Sequence, residues 1–61
     1  MNSAHASLLQ WLQENPKHNI ITMAPIKNYP YWTLQAPLAG LICSATSYEA
    51  ACYDLLQQLK K

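Results

Sequence analysis

Apolar residues return every three or four positions along the last third of the chain, the spacing of a helix with one buried side. Tyr48, Ala51, Cys52, Leu55, Leu56 and Leu59 share one face, while Glu49, Tyr53, Asp54, Gln57, Lys60 and Lys61 occupy the others. Thr46-Ser47-Tyr48-Glu49 has the spacing of a capping box. It predicts that Thr46 caps the helix and that the Glu49 carboxylate reaches back to the Thr46 N–H. No Gly or Pro follows Gly40, so nothing interrupts the helix before Lys61. Its acids lie early and its lysines late, as the helix dipole favours. A helix of about 15 residues is marginal alone in water, so the leucine stripe demands a packing partner.

The opening stretch repeats with the same period. Ala4, Leu8, Trp11 and Leu12 fall on one side, Leu9 widens that side, and Asn2 or Ser3 supplies the cap. Ser7-Leu8-Leu9-Gln10 also fits a capping box and offers a later start. Pro16 disfavours helical geometry in the residue before it, so the helix is expected to end at Glu14–Asn15. Pro16-Lys17-His18-Asn19 then reads as a solvated turn.

Between the helices the period drops to two. Ile20-Ile21-Thr22-Met23 is a short β-branched strand that reaches Ala24 at most, because Pro25 cannot donate to a ladder. Tyr31–Gln35 alternates, with Trp32 and Leu34 on one face and Tyr31, Thr33 and Gln35 on the other. Leu41-Ile42-Cys43 is a third strand that leads into the Thr46 cap. In the first connection, Ile26–Pro30, Asn28 can take a left-handed conformation. Tyr29–Pro30 is the bond most open to a cis form there, with trans expected. The second connection, Ala36–Gly40, holds the only glycine, placed where positive φ or close backbone approach is needed.

These elements predict an α+β fold, a small α-β-β-β-α domain over residues 1–61. Its three-stranded antiparallel sheet would carry both helices packed on one face. The leucine stripes, Trp11, Trp32, Leu34 and either Ile20 or Ile21 make the expected core. The other face, with Tyr31, Thr33 and Gln35, would meet water or a second copy of the chain.

Composition narrows the function classes. A chain of 61 residues buries only about 60% of the surface its unfolded form exposes, which leaves little stability to spare. It is 51% hydrophobic and 11% charged, with net charge +1 and no arginine. That is too apolar for a disordered tail and too weakly charged for a binder of phosphate backbones. The start of the chain lacks a basic, then apolar, leader pattern. The run Ala36–Cys43 is far shorter than the ~20 residues of a membrane span. A soluble cytoplasmic protein with no membrane contact is therefore expected. The spacing of Cys43 and Cys52 matches no zinc pattern. They read as free, semi-buried thiols in a reducing compartment, the alternative being one bridge between strand end and helix face.

From Tyr31 to Leu56 the chain resembles the HicB-type antitoxin domain. Tyr31-Trp32-Thr33-Leu34 stands for that family's aromatic strand and Ala36-Pro37-Leu38-Ala39-Gly40 for its turn. Thr46, Glu49 and Ala50 stand for the residues that open its helix. The resemblance implies a regulatory domain that binds a small partner protein and often dimerises; the opening helix here departs from the family's usual start. The α-β-β-β-α order also resembles the double-stranded-RNA-binding fold. Where that family's second helix opens on lysines that contact phosphates, this chain has Ser44, Thr46, Ser47, Tyr48 and Glu49.

No set of catalytic residues stands out. A thiol nucleophile would need Cys43 or Cys52 beside His5 or His18, plus a third group to orient the base. His5 reads as a helix-surface residue, and of the three acids Glu49 has a capping role and Asp54 a solvated one. No catalytic residue, metal ligand or cofactor is assigned. The binding candidate is the corner Lys27, Asn28, Tyr29, Tyr31 and Trp32, since tyrosine and tryptophan dominate binding hot spots. A purely structural reading stands beside it, with Trp32 facing the core and Tyr31 covering a sheet edge. The expected function is a non-enzymatic interaction or regulatory protein that binds another protein, itself as a homodimer, or both. The alternative is a nucleic-acid module in which Lys17, Lys27, Lys60 and Lys61 converge and the aromatics stack on bases. A small thiol enzyme ranks third.

Overall fold

Alternation along the central strand decides which way each face of the sheet points. The computed structural model describes residues 3–61. It runs α1 (Ala4–Glu14), β1 (Ile21–Met23), β2 (Trp32–Ala36), a single 3-10 turn (Pro37–Ala39), β3 (Leu41–Ala45) and α2 (Tyr48–Leu59). The strands form one antiparallel sheet in the order β1-β2-β3. Thr22, Leu34 and Cys43 stand abreast on one face. The other face carries two rows across the sheet, Ile21–Gln35–Ile42 and Met23–Thr33–Ser44.

The apolar residues of β2 and β3 choose the face that the helices cover. Leu34, Ala36 and Cys43 are buried there with Leu8 of α1 and Ala51, Cys52, Leu55 and Leu56 of α2. Trp11, Leu12, Ile20, Trp32, Tyr48 and Leu59 pack around that cluster. This is the α-β-β-β-α domain that the hydrophobic pattern predicts. α2 lies directly on β2 and β3, and α1 packs against α2. One expectation is corrected, and one alternative left open is resolved. Leu9 is 46% exposed, because α1 meets the core along one narrow stripe, and of the two isoleucines it is Ile20 that packs inward while Ile21 is 44% exposed. The shortest extent of the backbone is 17 Å, enough for one sheet with one layer of helices. Among the described residues, no helix or strand covers the second face.

Helix ends depart from the sequence pattern in an instructive way. Ser3 caps α1, its Oγ accepting from the Ala6 N–H at 3.0 Å; Asn2, the other candidate, lies outside the described residues. α1 starts at Ala4, ahead of the Ser7 box, and closes at Asn15, whose N–H donates to the Leu12 carbonyl and whose Nδ2 donates to the Trp11 carbonyl. α2 is capped by Ser47, not Thr46: the Ser47 Oγ accepts from the Ala50 N–H at 3.1 Å. Glu49 does not close a box. Its carboxylate crosses to α1 and accepts from the N–H groups of Ala4 and His5, at 2.5 and 3.2 Å. The two helix N-termini thus lie side by side, and one acid serves both positive ends. Ser47→Ala should therefore cost about 1 kcal/mol. Thr46→Ala, at an exposed position, should stay within about 0.5 kcal/mol of the parent. Thermal melts of the two variants rank them directly.

Both connections close tightly. Ile26 and Tyr29 exchange two backbone hydrogen bonds, each of 3.1 Å, around a tip made of Lys27 and Asn28. Asn28 does not take the left-handed conformation, and Tyr29–Pro30 is trans. Gly40 is the residue with positive φ, 68°, and its N–H returns to the Pro37 carbonyl, so the turn reverses between Ala36 and Leu41.

Candidate functional site

Tyr29 shapes the uncovered face. It belongs to the β1–β2 connection, yet its hydroxyl donates to the Ser44 Oγ at 3.1 Å on the far strand. Its ring must therefore cross β2 at Thr33, the residue that pairs with Ser44. Thr33 is only 4% exposed for that reason, and its hydroxyl shares a hydrogen bond of 3.2 Å with the Ser44 Oγ. Thr33 lies on the face expected to meet water or a second copy, but the side chains of its own chain already cover it. Tyr31 meets the Tyr29 ring edge to face at 5.1 Å, and the pair stands as a ridge over the Met23–Thr33–Ser44 row. The Ile21–Gln35–Ile42 row beside it stays open.

The face is apolar and uncharged. Ile21, Met23, Tyr29, Tyr31 and Ile42 are each between 39% and 60% exposed. Together they present on the order of 500 Å², the size of the largest apolar patch on a typical single chain, a patch that is often functional. No Asp, Glu, Lys or Arg lies in any of the strands.

Of the corner residues expected from sequence, four remain together and one departs. Lys27 and Asn28 are exposed at the tip, and Tyr29 and Tyr31 form the ridge. Trp32 points to the opposite face, half-buried, its ring against Tyr48 at 5.1 Å. Strand alternation separates neighbours in this way. Ile21, Met23 and Ile42 were not singled out in the sequence. Ile21 and Met23 stand two apart on one strand, which was the available signal, but a lone apolar residue in a short strand reads as core.

The chemistry-bearing residues are dispersed. Cys43 and Cys52 are buried and unpaired. His5 packs on Tyr48 at 5.2 Å and His18 on Trp11 at 5.0 Å. His18, expected in solvent, is half-buried, and its Nδ1 has no partner. Among the described residues, no group of three His, Cys, Asp or Glu could hold a metal ion, and no helix is long and apolar enough to cross a membrane. Lys17 and Lys60 line adjoining grooves on either side of Glu14 at the C-terminal end of the helices, whereas Lys27 sits at the hairpin tip. A groove of about 430 Å³ runs between β3 and α2, where Gln58 Nε2 donates to Cys43 Sγ at 3.2 Å.

Burial pushes both thiols and the Tyr48 phenol up from their ordinary pKa. At Cys43 the Asp54 charge adds to burial. At Cys52 a hydrogen bond to Tyr48 opposes it and the Glu49 charge adds to it. Cys52 and then Glu49 reinforce the effect at Tyr48. Each group holds its proton more tightly folded than unfolded. The stability this gives is complete below the ordinary thiol pKa and is lost as pH rises through the raised values. Urea midpoints should fall as pH rises above about 8.5, with thiol labelling following global unfolding. A midpoint unchanged to about pH 10 would contradict the coupling.

No family model, curated protein or solved structure matches this chain.

Proposed function

We propose that this chain is a small regulatory module that binds another polypeptide on the uncovered face of its sheet, with Tyr29 and Tyr31 as anchors. One observation carries the reading: five largely apolar side chains lie exposed on one face of the sheet, whose strands carry no charge. Leaving them in water forgoes roughly 25 cal/mol for each Å² that a partner would cover. Tyrosines already held by a neighbour and a hydrogen bond lose little further freedom on binding. Lys27 and Asn28 form the polar rim beside them. The HicB-type spacing of Tyr31–Leu56 supports a small protein as the partner. The two buried free thiols support a reducing, cytoplasmic setting.

Photo-crosslinking tests this. A photoreactive residue at Met23, on the face, should capture one defined polypeptide in the native cell. The same residue at Tyr53, exposed on α2, should capture none. Equal, diffuse labelling from both positions would remove the proposal.

A further inference from the structure

We infer that the polypeptide covering this face is a second copy of the chain, the two sheets packed face to face with the helices outside. The inference rests on reading the face as a binding surface and adds the identity of its occupant.

Three observations select a copy of the same chain. The first is charge. A surface that meets itself across a two-fold axis sets charges near the axis against their own copies and finds no foreign partner to neutralise the rest, which favours a patch with none. Here the charged residues lie on the helices, the loops and the chain end, and none lies in the strands.

The second is the order of the two rows. One reads apolar, amide, apolar in Ile21–Gln35–Ile42. The other reads apolar, hydroxyl, hydroxyl in Met23–Thr33–Ser44, with the Tyr29 ring over its middle member and the Tyr29 hydroxyl on its last. A two-fold axis that runs across the strands, midway between the rows, places each row on the other. Ile21 of one copy then meets Met23 of the other. Gln35 meets the Tyr29 ring where it crosses Thr33, and Ile42 meets the Ser44 side of the ridge, where the Tyr29 hydroxyl ends. The tyrosine ridge of each copy fills the open row of the other, so the surface is complementary to itself in shape. Sheets packed in this way stand about 10 Å apart.

The third is area. On the order of 500 Å² from each copy gives roughly 1,000 Å² in all, the lower bound for a specific interface. A weak dimer follows, one that forms with rising concentration.

Sedimentation equilibrium of the full chain, from about 10 µM to about 1 mM, spans the affinities of such an interface. The mass should rise from one copy to two. Gln35→Lys, on the central strand and remote from either sheet edge, should keep its circular dichroism and weaken association at least tenfold, roughly. Ile42→Lys provides a second variant should the first not fold, and Tyr53→Lys should dimerise like the parent. A dimer that persists in both face variants would locate the contact at a strand edge and overturn the inference. A monomer at every concentration would also overturn it. In that case a defined foreign protein crosslinked from Met23 would leave the binding surface standing, and its absence would remove both.

Discussion

Leu55→Ala is expected to remove most of the domain's stability and to leave a measurable share of the chain unfolded at room temperature. Leu55 is fully buried, with Leu34, Ala51 and Cys52, where α2 lies on the sheet. Truncating a leucine in such a place costs roughly 2–5 kcal/mol, from lost transfer energy and from the cavity left behind. A domain of this size has about 3–5 kcal/mol in hand. Relaxation offers little relief, because the neighbours are short side chains already in contact. Circular dichroism against urea checks it, with Leu9→Ala as the control. Leu9 has the same chemistry and is 46% exposed, so its loss should stay within about 0.5 kcal/mol. Similar costs at the two positions would mean that the α2–sheet contact is not the core.

Glu49→Ala is expected to loosen α1 rather than the helix that carries it. Its carboxylate accepts from the Ala4 and His5 N–H groups, so the variant strips two acceptors from the first turn of α1. The loss should be about 1–2 kcal/mol, the scale of a helix cap, since the site is open to solvent. Ser3 still holds the Ala6 N–H and Ser47 still caps α2. Hydrogen exchange should therefore quicken at the start of α1 while the start of α2 keeps its protection. Because Leu8 ties α1 to the shared core, the melting temperature should fall as well. Glu49→Gln keeps one acceptor oxygen and should fall between the two. Faster exchange confined to Thr46 and the first turn of α2 would instead restore the capping-box reading.

Local signals served where the residue in question also packs locally. The α2 stripe was legible because burial on a helix recurs with the backbone period, and Ala51, Cys52, Leu55 and Leu56 are the buried members. Alternation in β2 placed Trp32 and Leu34 on the helix side, where both are found. Strand ends were less legible. β2 begins at Trp32 and takes in Ala36, and β3 continues to Ala45, since the ladder runs as far as Ala45 opposite Trp32 allows. Pairing with a neighbour set those limits, and turn residues did not.

The candidate site divides along the same line. Tyr29 and Tyr31 were legible as aromatics crowded at a corner, while Trp32 was grouped with them by adjacency that a strand does not honour. Ile21, Met23 and Ile42 join the site because, among the described residues, no element covers the second face. Sequence by itself determined the order of elements, the buried stripe of each helix and the phase of the central strand, because all three follow from backbone periodicity. Tertiary structure alone decided that Glu49 caps its neighbour, that Tyr29 spans the sheet to Ser44, and which isoleucines stay in water. Those outcomes depend on which groups the fold brings within a few ångströms, a distance that separation along the chain does not measure.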